Sequence, residues 1–365
     1  MPPKSSIRLA AVAVCVLAGL AAFVGAGAGS GVTPRATAPR LIAHDVSHFA
    51  PVSRHKGKKG PQLLERAQPV SRAKAPIRKL SNAAIADSTV ANPSADISRT
   101  QFVYGRNGVY SVLSRTWVGG GLSLGGVTNK SFWSGLTGPD AAGLCATNPQ
   151  GEPSVTYDWN ADRWVISEAA YALDGSNNPT GAYVQCVAVS TSPDATGTWN
   201  RYVYQVSTSV YADRPTLGVW SDGYYVSFNQ LTSTGAWAGA GALALERSKM
   251  LTGAAAQARY FDLGNVTPGL GGMLPANING YNAPAGGAPE LYVQAHDDPS
   301  NIHDRIEVWG FHVDWTAPLT GSTFQPVVNI PLNTGGWGYR STFSCPQPGT
   351  TTHRPPGWRC GPCGR

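Results

Sequence analysis

Charge is scarce in this chain and unevenly spread. Asp, Glu, Lys and Arg together make up 13% of its 365 residues. Eleven of the basic residues fall between Arg35 and Lys79, opposed there only by Asp45 and Glu65. The span 29–80 is therefore net positive by nine, and everything from Ser81 onward is net negative by four. A fold that grips nucleic acid carries its positive charge on the fold itself, so nucleic acid is excluded as a partner of the folded part. Long apolar runs are also missing. After Val32 nothing approaches the roughly 20 apolar residues that a membrane helix needs. Helical periodicity is nearly absent, apart from a brief stretch within Leu243–Ala258. No G-x-S-x-G, H-E-x-x-H or P-loop occurs, so those hydrolase and nucleotide-binding chemistries have no warrant.

At the start, Lys4 and Arg8 precede an apolar run from Leu9 to Val24, and Ala26-Gly27-Ala28 fits a small-residue cleavage site. This is the layout of a secretory signal, expected over residues 1–28, and it predicts a secreted protein with no transmembrane span after cleavage. Residues 29–98 are rich in Ala, Pro, Ser, Lys and Arg and are expected to form a disordered linker. Its Arg54-His55-Lys56-Gly57-Lys58-Lys59 cluster could touch anionic wall polymer or lipid. Six cysteines are present. Cys15 leaves with the signal, and an oxidising compartment predicts a Cys145–Cys186 disulfide. Cys360-Gly361-Pro362-Cys363 lacks the βαβ context of a redox site. With Cys345 and His353 it matches no familiar zinc spacing.

From Gln101 the composition turns to Trp, Tyr, Val, Gly and Thr in short runs between turn residues, the pattern of strands. Ser154–Tyr157, Arg163–Ser167, Gln185–Ser190 and Tyr202–Val206 are examples. The stretch from Glu152-Pro153 to Ser167 resembles that from Arg214-Pro215 to Phe228, with prolines 62 positions apart. Asp222-Gly223 is a hairpin signal within the second. A third unit begins near Pro275 and takes in Glu290–Gln294 and Arg305–Val313. A degenerate first unit spans Phe102–Trp133. Repetition at this scale, with about four strands per unit, predicts an all-β propeller over residues 99–349. Three to four units fit, fewer than most complete propellers have. The propeller is therefore expected to be incomplete, with exposed sheet faces that favour aggregation or pairing. The final residues, 350–365, show no strand pattern. Their Arg, Pro, Gly and Cys content is that of out-of-frame GC-rich DNA, and a frameshift after about Thr352 is the expectation.

On Gly151–Ser167, Tyr183–Tyr204, Arg214–Asn229, Trp237–Leu251, Leu274–Ala288, Val308–Pro318 and Cys345-Pro346-Gln347-Pro348-Gly349, the chain resembles a family of secreted proteins common in actinobacteria. That family is read as β-propellers of unknown function. The resemblance covers roughly residues 100–349 and implies a fold and a compartment rather than a reaction.

Ser192-Pro193-Asp194-Ala195-Thr196-Gly197-Thr198-Trp199 is similar to the Asp-box of sialidases and related propellers. There the Ser and Asp close a hairpin and the Trp packs between strands, a structural role. Asp158-Trp159-Asn160-Ala161-Asp162 has the spacing of a calcium loop, so calcium is the one cofactor with any support; the loop lacks the glycine and distal Glu, and a plain hairpin turn is the preferred reading. His296, Asp297, Asp298, His303 and Asp304 form the densest group of metal-competent residues, set against a solvated loop. Glycoside hydrolysis needs two carboxylates across a bond, for which Asp158, Glu168, Asp213 and Asp297 are candidates. An acidic sugar would also need arginines, for which Arg163 and Arg214 are available. No catalytic set emerges. The expected function is a secreted or wall-associated binding or scaffold module for an extracellular glycan or cell-wall polymer, with a sialidase-like exo-glycosidase as the alternative.

Overall fold

The computed structural model describes residues 36–49, 92–115, 123–136, 138, 140–264, 271–296, 305–317 and 319–331. Four antiparallel sheets follow one another along the chain. The first holds β2 (Ser94–Ile97), β3 (Gln101–Arg106), β4 (Val109–Ser114) and β5 (Ser123–Thr128). The second holds β6 (Ser154–Asp158), β7 (Arg163–Leu173), β8 (Pro179–Ser190) and β9 (Thr198–Ser207), with β1 (Arg40–His48) added at its outer edge. The third holds β10 (Val210–Val219), β11 (Gly223–Thr232), β12 (Trp237–Glu246) and β13 (Ala258–Asp262). The fourth holds β14 (Leu274–Pro275), β15 (Glu290–His296), β16 (Arg305–His312) and β17 (Thr323–Pro331). Each is a meander whose strands pair in chain order. Four such sheets packed face to face in sequence are the blades of an incomplete β-propeller. The one helical stretch expected near Arg247 is the single turn Arg247–Met250; Leu243–Glu246 before it continues β12.

Burial explains why the sequence alternates in some strands and not in others. The second sheet is covered on both faces, and every residue of β6 is buried. Along β7, Trp164 through Ala170 are buried without interruption. A strand between two sheets reads as a continuous apolar run. In the first sheet β3 alternates between buried and half-buried, because only one of its faces is packed. Burying each large apolar side chain contributes about 1.5–3 kcal/mol, and Trp133, Trp164 and Trp199 are all essentially inaccessible.

The first strands of the blades are stitched to one another. Val155 N–H donates to Ser94 Oγ at 2.9 Å and Tyr157 N–H to Asp96 Oδ2 at 2.8 Å, tying β6 to β2. Leu217 N–H donates to Ser154 Oγ at 3.0 Å, tying β10 to β6. Val219 N–H donates to Asn277 Oδ1 at 3.0 Å, beside β14. Ser94 and Ser154, each directly after a repeated proline, thus supply acceptors to the next blade, while at the third junction the direction reverses and Asn277 accepts from the preceding blade. Cys145, in the short helix Leu144–Thr147, and Cys186, on β8, form a disulfide with Cα atoms 6.0 Å apart.

The linker expected over 29–98 is corrected at both ends. Arg40–His48 pairs antiparallel with β9, from Arg40 opposite Gln205 to His48 opposite Thr198. Thr37 bridges Tyr260 on β13, so this segment crosses the outer edges of the second and third sheets. The reason is physical: β9 would otherwise present a row of open backbone groups, and Leu41-Ile42-Ala43 supplies apolar contact. Asp45 anchors it through Arg201, which is almost wholly buried and also donates to the Phe132 and Ser134 carbonyls. At the other end Ser94–Ile97 is the first strand of a blade, so the propeller starts before residue 99. The signal, the basic cluster at 54–59 and the stretch 350–365 lie outside the described residues.

Candidate functional site

Three residues that precede proline share an unusual backbone. Asn92, Glu152 and Arg214 have φ of 30°, 53° and 52°. They stand before Pro93, Pro153 and Pro215 at equivalent positions of the first three blades, 60 and 62 residues apart. Left-handed backbone is uncommon for residues with a Cβ and costs of order 1–3 kcal/mol each. Such strain persists only where surrounding bonds hold it.

Here Glu152 does the holding. Asn92 Nδ2 donates to Glu152 Oε1 at 3.0 Å, and Arg214 N–H donates to Oε2 at 2.7 Å. Glu152 N–H in turn donates to Asn107 Oδ1 at 2.6 Å. One carboxylate therefore joins the entrances of β2 and β6 to the bulge within β10. Gly151, with φ of 83°, lies against Asn107, whose Oδ1 would sit 2.5 Å from any added Cβ; only glycine fits.

These residues surround a cavity of about 290 Å³, lined by Asn92, Asn107, Gln150, Gly151, Glu152, Ala169, Tyr171, Ala212 and Asp213. Tyr171 belongs to a tyrosine cluster, with ring centroids 4.9 Å from Tyr211 and 5.7 Å from Tyr183. Burial raises the Glu152 pKa, and the neighbouring Asp213 carboxylate adds to the rise, while the Arg214 N–H opposes it. Burial likewise raises the Tyr171 pKa, so its hydroxyl stays protonated. The cavity offers amide donors and acceptors, two carboxylates and an aromatic face. No arginine side chain lines it among the described residues.

Of the carboxylates singled out from the sequence, only Asp213 lines this cavity among the described residues. Asp158 is fully buried and its oxygens are taken. Arg247 Nε donates to Oδ2 at 2.6 Å and Nη2 to Oδ1 at 3.0 Å; Tyr224 donates from its hydroxyl at 2.9 Å. Asn160 and Ala161 N–H groups close the turn on Oδ1. In the calcium-like spacing of Asp158, Asn160 and Asp162, Asp158 turns inward to the Arg247 guanidinium. Asp162 accepts from the Tyr157 hydroxyl at 3.2 Å. Glu168 is fully buried and accepts from Tyr110, Asn129, Trp133 and Gly151 N–H, which makes it a core tie. Arg163 donates to carbonyls of its own turn. His296 ends β15, while Asp297, Asp298, His303 and Asp304 lie outside the described residues.

The Asp-box stretch forms the hairpin between β8 and β9. Asp194 Oδ1 accepts from Thr196 N–H at 2.9 Å and from its hydroxyl at 2.7 Å, and Trp199 is buried with its Nε1 donating to Ala195 O at 3.0 Å. Asp314 makes the same kind of turn between β16 and β17, accepting from Thr316 and Ala317. Glu152, the central residue of the cavity, was legible only as part of the repeat. Its signal was the recurrence of X-Pro-Ser/Thr at Asn92, Glu152 and Arg214.

No family model matches the chain, and no curated protein matches it. Among solved structures it is similar to the GH43 endo-arabinanase of Bacillus licheniformis, at 11% identity over 65% of this chain and 80% of that one, TM-score 0.29. It is also similar to an exo-β-1,3-galactanase of Phanerochaete chrysosporium, at 10% identity over 66% and 50%, TM-score 0.33. A third is the α-L-arabinanase of Cellvibrio cellulosa, at 9% identity over 68% and 79%, TM-score 0.30. The propeller assignment rests on the four sheets themselves.

Proposed function

We propose that the chain is an exported propeller that binds the end of an extracellular or cell-wall glycan in the cavity around Glu152, as a binding or scaffold module. The composition of that cavity carries the reading. Asn92, Asn107 and Gln150 can exchange hydrogen bonds with sugar hydroxyls, and Tyr171 can cover an apolar ring face, the mix that small-molecule sites use. The carboxylates and the lack of a lining arginine favour an uncharged sugar over an acidic one. A general acid must reach the departing oxygen with its proton. Glu152 instead has both oxygens committed to Asn92 and Arg214, which favours binding over turnover.

An exo-glycosidase reading has one specific support. Glu152 and Asp213 are two carboxylates in one cavity, and the first has the raised pKa that a general acid needs. A glycan array run beside a panel of fluorogenic glycosides separates the two. Binding without turnover, lost in Tyr171→Ala, supports the module. Turnover abolished by Glu152→Gln establishes the enzyme. Neither binding nor turnover on a broad panel overturns both.

A further inference from the structure

Among the described residues, the fourth sheet has one packed face and one open face. Tyr292, Trp309, Phe311 and Phe324 lie on the packed face, against Tyr225 and Phe261 of the third sheet. The strand register puts Leu274, Val293, Val308 and Val328 in one row across all four strands on the other face. Ile306 and Ile330 form a second row beside it. These side chains are apolar, yet Leu274 is 56% exposed, Ile330 48% and Val328 44%. The first sheet mirrors this. Val103, Tyr110 and Val112 face the second sheet, while Ile97, Phe102 and Leu113 form a row on the opposite face. Ile97 is 43% exposed, and Phe102 and Leu113 are half-buried. Contiguous apolar surface of this kind marks an interaction site.

The two open faces are complementary halves of one repeating interface. Three times in this molecule the leading face of one sheet packs on the trailing face of the next. The leading face of the fourth sheet and the trailing face of the first are the halves left over. Within one copy, these two blades meet through a loop contact between Arg99 and Tyr281, with Arg99 Nε donating to the tyrosine hydroxyl at 2.7 Å. We propose that a second copy of this chain fills the vacancy, seating its first sheet on the fourth sheet of its neighbour. The contact continues the blade-on-blade packing already present. It is head-to-tail, so each added copy leaves one further face open and association can extend beyond a dimer.

Sedimentation velocity of the secreted full chain over a hundredfold range of concentration tests this. The expected result is a mass that climbs from one copy to two and beyond. Val328→Asp and Ile97→Asp each remove one half of the contact and should each weaken self-association by roughly tenfold or more, since charge is poorly tolerated at an apolar interface centre. Mixed in equal amounts, the two variants should form dimers that grow no further, because each retains one intact face. Near-UV circular dichroism checks that both are folded; if either is not, Val328→Thr and Ile97→Thr give a milder version of the same test. A wild-type chain that stays monomeric at every concentration overturns the proposal, as does hydrogen exchange showing β17 covered within the monomer. Loss of association in Val328→Asp with none in Ile97→Asp also overturns it, since that pattern means a symmetric pairing of fourth sheets.

Discussion

The interface between the first and second sheets and that between the third and fourth each bury a glutamate, under opposite conditions. Glu168 receives four hydrogen bonds, from the Tyr110 hydroxyl, Asn129, Trp133 and the Gly151 N–H. Burial still pushes its pKa up to about 7, with the four donors working against that rise. Glu290 is equally inaccessible, and neither of its oxygens has a hydrogen-bond partner. Burial, with Asp222 nearby, lifts its pKa to about 9. The Ala276 N–H offsets this only slightly, because it is committed to the Leu291 carbonyl at 2.8 Å. A buried carboxylate ties two blades together only when donors from both blades reach it; without them it weakens the contact it sits in.

The largest effect is expected from breaking the well-tied interface. Glu168→Leu strands a tyrosine hydroxyl, an amide, an indole N–H and a backbone N–H in the core. It should destabilise by about 3–5 kcal/mol, the usual result of removing one partner from a buried polar set. Urea unfolding would show this as a fall in midpoint at unchanged slope. A loss under about 1 kcal/mol would mean that Glu168 only fills space.

Second comes the disulfide, which sits in the same core as Glu168. Cys145 and Cys186 are 41 positions apart. Replacing both with alanine should cost about 3–4 kcal/mol in the chain-entropy account. Mass spectrometry of the unreduced protein should find the cross-linked peptides.

Third, Glu290→Leu should stabilise by about 1–3 kcal/mol at pH 8, because it removes an unsatisfied buried group. The sign with pH follows from linkage. A carboxyl whose folded pKa lies above its unfolded value contributes stability that is whole below about pH 4.5 and is lost as pH rises toward the folded pKa. Wild-type stability should therefore decline between pH 5 and about pH 9. Both carboxyls contribute to the fall up to about pH 7 and Glu290 alone above it, so Glu290→Leu should make the fall shallower below about pH 7 and remove it above. Thermal unfolding across this range measures both.

Much of this fold could be read from the sequence because it is local. The hairpins at Asp158–Arg163 and Trp220–Gly223, the Asp194 turn and the repeated prolines all lie within short windows. What stayed hidden depends on contacts between blades. Glu168 and Tyr110 are 58 positions apart, and nothing in either strand names the other. Strand β1 was masked by averaging: the basic residues of 54–79 set the composition of the whole span and concealed Leu41-Ile42-Ala43. Glu152 went unread as a site residue because its role lies in a left-handed backbone that ordinary strand patterns do not report.

The smallest effects should come from the two Asp turns, which repeat the same contrast in miniature. Asp194 holds its own hairpin and also accepts from Gln101 Nε2 of the first sheet at 2.7 Å. Gln101 in turn accepts from the Ala195 N–H at 2.8 Å. Asp314 holds only its own turn, through Thr316 and Ala317. Burial pushes the Asp194 pKa up, but Gln101 and Thr196 outweigh it, so the net direction is down. Hydrogen bonds from Ala317 and Thr316 lower that of Asp314. Depressed carboxylates contribute stability that is present above the ordinary Asp pKa and lost as pH falls through the folded value. Both turns should therefore loosen only below about pH 4. At pH 7, Asp194→Ala should lower Tm by roughly 1–3 °C, and Asp314→Ala by less, since one removes a tie between blades and the other a tie within a loop. Equal shifts for the two would show that the Gln101 bridge adds nothing to the contact between the first and second sheets.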